Sequence, residues 1–347
     1  MDALHSQTIQ TQSVGIDVSA KTLKVRLGAD TGDHSFHYTR AKEFSNNPEG
    51  YHRMLEWIES KSQTPNCWFI MEATGVYYEE LAYFLYEADR RVCVLVPNRI
   101  FHWAQSLSLK SKTDAIDARV LARYGLERRP RQWQPGSWRL RQIKALLRER
   151  QQLQKQRTQL KNRLHAARRA WEHPESSLQR LSEHIEQING YMEQIDQQLE
   201  DLWQSEGALA EAIRRIGQIT GIGCKTVLEV VAETNGFALI SNRNQLASYA
   251  GLDVVLDQSG QRMGATKISK QGNAHIRRAL YMPALCASQH NRALRAFYKR
   301  LVASRPAQKK VALVAVMRKL LLLIYSLWKS GQSYDPELHY QQVTNAG

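Results

Sequence analysis

Val14 and Ile16 open an apolar stretch, VGIDV, that has a single acid, Asp17, inside it. Four residues further on, Leu23–Leu27 alternates Leu, Lys, Val, Arg, Leu. An apolar run, a short turn and a period-two alternation predict two paired strands. HSFHYTR (34–40) extends them with a third antiparallel strand. PEGYHRMLEWIES (48–60) has helical spacing behind a proline start. CWFIMEATG (67–75) reads as a central strand that ends in Glu72 and a glycine. VYYEELAYFLYEA (76–88) is helical, and RVCVLVP (91–97) is a buried strand closed by Pro97. A helix around 98–107 follows, and another with Thr113 as its candidate N-cap. Leading strands followed by alternating helices and strands predict a mixed α/β sheet.

The pattern then changes. Residues 138–172 and 176–206 are helical. In the second segment Leu178, Leu181, Ile185, Ile188, Met192, Ile195, Leu199 and Leu202 alternate steps of three and four, a coiled-coil stripe. In the first, Ile143, Leu146, Leu153, Leu160 and Leu164 form a poorer seam, interrupted by Arg150 and Arg157. An antiparallel hairpin turning near His173–Pro174 is expected. From 213 onwards IRRIGQITGIGCKTVLEVVAE places a Gly-Ile-Gly turn between helices, a helix-hairpin-helix-like element able to aim backbone N–H groups at a phosphate. A helix around 242–250, the segment AGLDVVLDQSGQRMGATKISKQGN and a basic helical tail complete the chain. The resulting expectation is three domains: residues 1–127 α/β, 128–206 a coiled-coil helical hairpin, 207–347 mainly α.

Charge sharpens this picture. The formal net charge is +15 over 347 residues, and it is unevenly placed. Residues 128–169 carry 14 Lys/Arg against Glu149 alone, residues 170–206 one arginine against nine acids, and residues 262–319 carry 14 Lys/Arg and no acid. Two basic segments flanking an acidic one point to a nucleic-acid partner, and opposite charge on the two hairpin helices suits their pairing. Four scattered cysteines form no CxxC pair, which argues against a zinc knuckle or disulfide framework and fits a reducing compartment. The first dozen residues lack a signal-peptide core. The most apolar run, 311–328, has Arg318 and Lys319 at its centre, so a buried amphipathic helix is expected there rather than a membrane span.

Four carboxylates stand out by place. Asp17 lies within an apolar strand, where a charge is costly unless paired or bound to a metal. Glu72 ends a second strand. Asp114 and Asp117 are three apart on one helical face, with Cβ atoms about 5–6 Å apart. A divalent cation between them relieves their repulsion, and hard oxygen donors favour Mg²⁺ or Mn²⁺. Taken singly, Asp114 and Asp117 also read as solvated acids paired with Lys110, Lys112 and Arg119. Together the four match the pattern of ribonuclease-H-like nucleases, which use two metal ions.

The motifs GIDVSAKTL, EATGVY, KTDAIDARVLA, GIGCKT, LASYAGL, QSGQ and ISKQGNAHIRRALY, in this order, resemble the DEDD-type insertion-sequence transposases, a family that includes bridge-RNA-guided recombinases and the related Piv-type DNA invertases. The resemblance runs from about residue 14 to about 330. It implies a RuvC-like (RNase H-like) N-terminal domain with the tetrad Asp17, Glu72, Asp114 and Asp117, and a C-terminal transposase domain whose catalytic serine corresponds to Ser259. The implied chemistry is metal-assisted attack by Ser259 on a phosphodiester, giving a phosphoserine link that a second strand can displace. Ser269 competes for that role but suits a backbone-phosphate contact better. Lys267, Lys270, Arg277 and Arg278 are expected on phosphates, although Arg277 and Arg278, with Tyr281, also admit a structural reading. Expected partners are donor and target DNA, a structured guide RNA and further copies of the chain, as dimer or tetramer, with no membrane, in the bacterial cytoplasm at the nucleoid. A Piv-type invertase, a RuvC-like resolvase or nuclease using only the four acids, and a catalytically silent RNA- or DNA-binding protein are the rival readings.

Overall fold

A computed structural model of the chain describes residues 9–32, 35–64, 66–73, 75–107, 114–128, 130–238, 240–255, 258–259, 262–263, 267–304 and 306–345. It divides into two compact units, Met1–Pro135 and Gly136–Gly347.

The first unit is a mixed sheet with helices on both faces. In chain order it contains β1 (Thr11–Val18), β2 (Thr22–Asp30), β3 (Phe36–Tyr38), β4 (Lys42–Ser45), α1 (Pro48–Lys61), β5 (Trp68–Glu72), α2 (Glu79–Glu87), β6 (Arg91–Leu95), α3 (Pro97–Ser106) and α4 (Asp114–Arg128). The strand order is β3-β2-β1-β5-β6, with β4 also pairing β2. β1 to β4 pair antiparallel, whereas β1–β5 and β5–β6 are parallel. The expected third strand is present as β3; β4 was not expected from the sequence. This arrangement is compatible with a ribonuclease-H-like fold.

Alternation decides which helix covers which face. Val14, Ile16 and Val18 point to the side where Tyr51, Met54 and Ile58 of α1 and Leu81 and Leu85 of α2 close a core. Ile70, Cys93 and Leu95 point to the opposite side and pack against Ile100 of α3 and Val120, Leu121 and Tyr124 of α4. The helix α4 sits unusually close to the sheet. A Cβ placed on Gly15 would come within 2.0 Å of the Ala118 carbonyl oxygen, and one on Gly125 within 2.0 Å of Ser13 Oγ. At Gly15 backbone therefore meets backbone, and at Gly125 the helix backbone rests on the Ser13 and Ile70 side chains. Gly125 lies level with Ser13, and Ala118 with Gly15, so α4 starts near the C-terminal end of β1.

The second unit contains α5 (Trp138–Ala167), α6 (Glu175–Gln204), α7 (Gly207–Gly217), α8 (Cys224–Glu233), α9 (Arg243–Tyr249), β7 (Val254–Val255), β8 (Gln258–Ser259), β9 (Arg262–Met263), β10 (Lys267–Ile268), α10 (Ala274–His290), α11 (Arg292–Ser304), α12 (Lys309–Ser330) and α13 (Pro336–Asn345). α5 and α6 form an antiparallel hairpin. Ile185, Ile188, Met192, Ile195 and Leu199 of its stripe are buried. The arginines that interrupt the first helix's seam are cross-hairpin partners. Arg150 donates to both carboxylate oxygens of Asp196 at 2.6 and 2.7 Å, and Arg157 Nη1 donates to Asn189 Oδ1 at 2.9 Å.

The base of the hairpin is continuous with the C-terminal helices. Ile143, Ile195 and Leu199 share one core with Ile213 and Ile216 of α7, Val227 and Val231 of α8, Ile276 and Leu280 of α10, and Val316, Leu320 and Ile324 of α12. Among the described residues α12 alone is long and apolar enough to cross a membrane, and half of its apolar window is buried inside the unit. The Gly-Ile-Gly turn between α7 and α8 is fixed by packing. Gly221 has φ +97°, and a Cβ there would come within 2.7 Å of the Ala287 amide nitrogen on α10.

Candidate active site

In the parallel ladder of β1 and β5, Ile16 pairs with Met71. Asp17 and Glu72 are each one step further on. They therefore stand side by side at the C-terminal ends of adjacent strands, about 4.8 Å apart along the hydrogen-bonding direction. Both are half-buried. Since Gly15 and Ile70 face α4, alternation puts Asp17 and Glu72 on that same side. α4 brings Asp114 and Asp117 to the same end, because it begins at Asp114 and runs away along β1. The side chain of Asp114 and the expected cap Thr113 lie outside the described residues. The fold thus gathers on one sheet end the two strand acids and the start of the acid-bearing helix.

The donor set fits a hard divalent cation. Carboxylate oxygens from two adjacent strands and one helix suit Mg²⁺ or Mn²⁺, and no imidazole or thiolate is needed. Among the described residues no group of three His, Cys, Asp or Glu side chains is already drawn together around a single point.

Sequence reading missed the residue that ties the two strand ends together. Asn46 Nδ2 donates to the carbonyl of Ser19, two residues beyond Asp17, at 2.8 Å, and to the carbonyl of Tyr77, five beyond Glu72, at 3.1 Å. Its Oδ1 accepts from the buried Tyr51 hydroxyl at 2.7 Å, and its own N–H donates to Lys21 O at 2.9 Å. Burial, and then the nearby Glu80 carboxylate, push the Tyr51 hydroxyl up to about 12, so it remains a donor. The sequence signal was SNNP, in which two asparagines precede a helix. Asn47 is the cap, accepting from Gly50 N at 2.8 Å, which leaves Asn46 to clamp the loops.

The other predicted residues are distributed as follows. Lys110 and Lys112 lie outside the described residues. Arg119 is on α4 with its guanidinium 4.8 Å from the ring centroid of Tyr38. Ser259 ends β8 opposite Arg262 of β9, at the tip of a short ribbon, and its side chain is outside the described residues. Lys267 pairs with Val255 across β10 and β7. The Ser269 hydroxyl donates to the Asp253 carboxylate, so it is already engaged within the fold. Lys270 is exposed, with φ +54°. Arg277 Nη1 donates to the carbonyls of Ala250 and Gly272 at 2.9 and 3.1 Å, the structural arrangement left open by sequence. Arg278 Nη2 donates to Glu229 Oε1 at 3.2 Å and stays partly exposed.

A second polar centre organises the C-terminal unit. Glu233 is buried and receives Arg148 Nε at 2.9 Å, Arg148 Nη2 at 3.1 Å and Asn273 Nδ2 at 2.7 Å, with Lys144 Nζ 3.7 Å away. Burial acts to raise its pKa, but Arg148, Asn273 and Lys144 outweigh burial and hold the carboxyl below the usual glutamate range. Asn273 also caps α10 through its Oδ1, accepting from His275 N and Ile276 N. One carboxylate thereby fixes α5, α8 and the start of α10 together.

Residues 14–168 match a family model described as a transposase, and residues 213–299 match one described as the transposase IS116/IS110/IS902 family. Two curated relatives, the pilin gene-inverting proteins of Moraxella bovis and Moraxella lacunata, are each 30% identical over 302 residues, covering 85% of this chain and 91% of theirs. The acids stand where the first matched segment lies and Ser259 within the second. The chain belongs to the IS110-type family of transposases and Piv-type DNA invertases, and is a DNA recombinase.

Proposed function

We propose that this recombinase cuts and rejoins DNA by a metal-assisted serine mechanism. The observation that carries the reading is the placement of Asp17 and Glu72 side by side at one sheet end, beneath the start of the helix bearing Asp114 and Asp117. Asp17, Glu72, Asp114 and Asp117 would hold Mg²⁺ or Mn²⁺, which would offset charge developing on the phosphate oxygens. Ser259 Oγ attacks phosphorus and loses its proton to a base. The P–O bond to one deoxyribose oxygen breaks, and that oxygen leaves with a proton. The phosphoserine so formed keeps the energy of the bond, and a deoxyribose hydroxyl of a new strand displaces the serine in the reverse step. In this reading residues 1–127 are an RNase H-like catalytic domain, 128–206 a coiled-coil arm and 207–347 the transposase domain. The assembly is a dimer or tetramer on DNA, and an element-encoded RNA selects the sequences. The strongly basic 128–169 segment supports RNA binding through shape and phosphate contacts.

Inversion of a DNA segment is the second reading, favoured by the similarity to the two pilin gene-inverting proteins. Both readings require the same covalent intermediate. Denaturing electrophoresis of protein incubated with labelled substrate and Mg²⁺ should show a protein–DNA adduct that Ser259→Ala abolishes. An undiminished adduct would move the nucleophile elsewhere, and hydrolysis without adduct would favour a nuclease using only the four acids. Sequencing of RNA that copurifies with the chain separates guided transposition from inversion.

A further inference from the structure

The acid-free stretch 262–319 carries 14 cations, and the structure accounts for several of them internally. Arg277 is bound to carbonyls, Arg278 meets Glu229, and Arg292 Nη1 donates to Glu337 Oε1 at 2.6 Å. A different group has no such compensation. The guanidinium carbon of Arg300 (α11) lies 5.7 Å from the ring centroid of Phe297, and Lys319 Nζ (α12) lies 5.4 Å from the same centroid. Arg318 adjoins Lys319, and its Nε is buried without a hydrogen-bond partner. Arg243, at the start of α9, is exposed; α9 packs on α12, and the Arg243 charge acts on Lys319. Among the described residues none of the four has a carboxylate in ion-pair range. Burial, then Arg300, Arg243 and Arg318, make the charged form of Lys319 less favourable than usual. Four like charges drawn from three helices, two of them (Arg318 and Lys319) half-buried, repel one another in the free protein.

We propose that Arg300 and Lys319, both over the ring of Phe297, together with Arg318 and Arg243 beside Lys319, form a binding site for the phosphates of a DNA backbone. Phosphate oxygens supply the missing negative charge, and a guanidinium can hold them through two parallel hydrogen bonds. Duplex DNA is the occupant argued for because the chain is a DNA recombinase; the site does not depend on the metal or serine chemistry. No base edge needs to be read, so the contact is sequence-independent.

The test is the salt dependence of full-length protein binding to a duplex of unrelated sequence. Each phosphate contact contributes about 0.9 to the slope of log K against log salt. Removing two exposed contacts in R243Q/R300Q should lower the slope by about 1.8. Taking their contribution to vanish at about 1 M salt, affinity at about 0.15 M should fall roughly 30-fold. The unfolding midpoint without DNA should stay level or rise, because repulsion is relieved. K319Q should weaken DNA binding in the same direction, again without loss of stability. An unchanged slope, a loss of affinity that merely follows a lowered midpoint, or weakened binding of a hairpin RNA with duplex binding intact would each overturn the proposal.

Discussion

Replacing Gly15 with alanine should disable the recombinase without touching an acid. The added methyl would lie 2.0 Å from the Ala118 carbonyl oxygen and 2.4 Å from the Ala122 amide nitrogen. Ordinary van der Waals contact begins near 3.4 Å, so strand and helix must separate by about 1.4 Å. Neither neighbour is a side chain that can swing away. Overpacking typically costs about 1–3 kcal/mol, and a backbone clash on both sides belongs at the upper end. The displaced element is the helix carrying Asp114 and Asp117. A shift of about 1 Å in a reacting group can cost about 100-fold in rate. Urea unfolding should therefore give a destabilisation of about 3 kcal/mol, and Mg²⁺-dependent strand cleavage, measured where the variant is folded, should fall about 100-fold. Gly28→Ala is the matched control, since its methyl meets the edge of the Tyr38 ring at 3.0 Å and Leu126 Cδ1 at 3.2 Å. Those side chains can give, and cleavage should stay within a few-fold. If Gly15→Ala cleaves at the normal rate and is as stable as the parent, α4 does not position the acids as described.

Asn46→Ala removes the amide that joins the loops after β1 and β5, and should raise the Mg²⁺ concentration needed for half-maximal cleavage, whereas Tyr51→Phe, which keeps both donated bonds, should shift it much less; equal midpoints for Asn46→Ala and wild type would make the clamp irrelevant to the acids. Glu233→Gln should cost about 1–3 kcal/mol at neutral pH by weakening the charge-assisted bonds from Arg148. Since the folded pKa of Glu233 is depressed, its contribution is complete above the ordinary glutamate value and is lost as pH falls through the folded one, so the variant's stability profile should be flatter on the acid side. Gly190 lies inside α6 with open space where a methyl would stand, so Gly190→Ala should stabilise the hairpin by about 0.5–1 kcal/mol in urea titrations.

Much of the first unit was legible from local pattern. The alternation at Leu23–Leu27, the apolar runs around Asp17 and Glu72 and the proline start at Pro48 each specify an element by a rule acting over a few residues. Asp17 stood out as a candidate because a charge within an apolar strand is costly unless it is paired or bound. The close seating of α4 was not legible, because Gly15 and Gly125 are far apart in sequence and a glycine within a strand does not announce what approaches it. The same holds for Asn46, whose partners lie 27 and 31 residues away. Arg150 and Arg157 looked like flaws in a seam only because Asp196 and Asn189 belong to the other helix. Ser269 looked available to a phosphate because nothing local reveals that Asp253 takes its hydroxyl.

The position of α12 in the chain governs the order in which the protein can fold as it is made. The first unit holds all its strands and covering helices within its own span, so it can close while later residues are still being synthesised. The second cannot. Its core joins Ile143 and Ile213 to Val316, Leu320 and Ile324, partners that appear more than a hundred residues after the hairpin has left the ribosome. Until then the hairpin base and the apolar faces of α7, α8 and α10 wait without their final partner. Chaperone dependence, if this recombinase shows any, belongs to that interval.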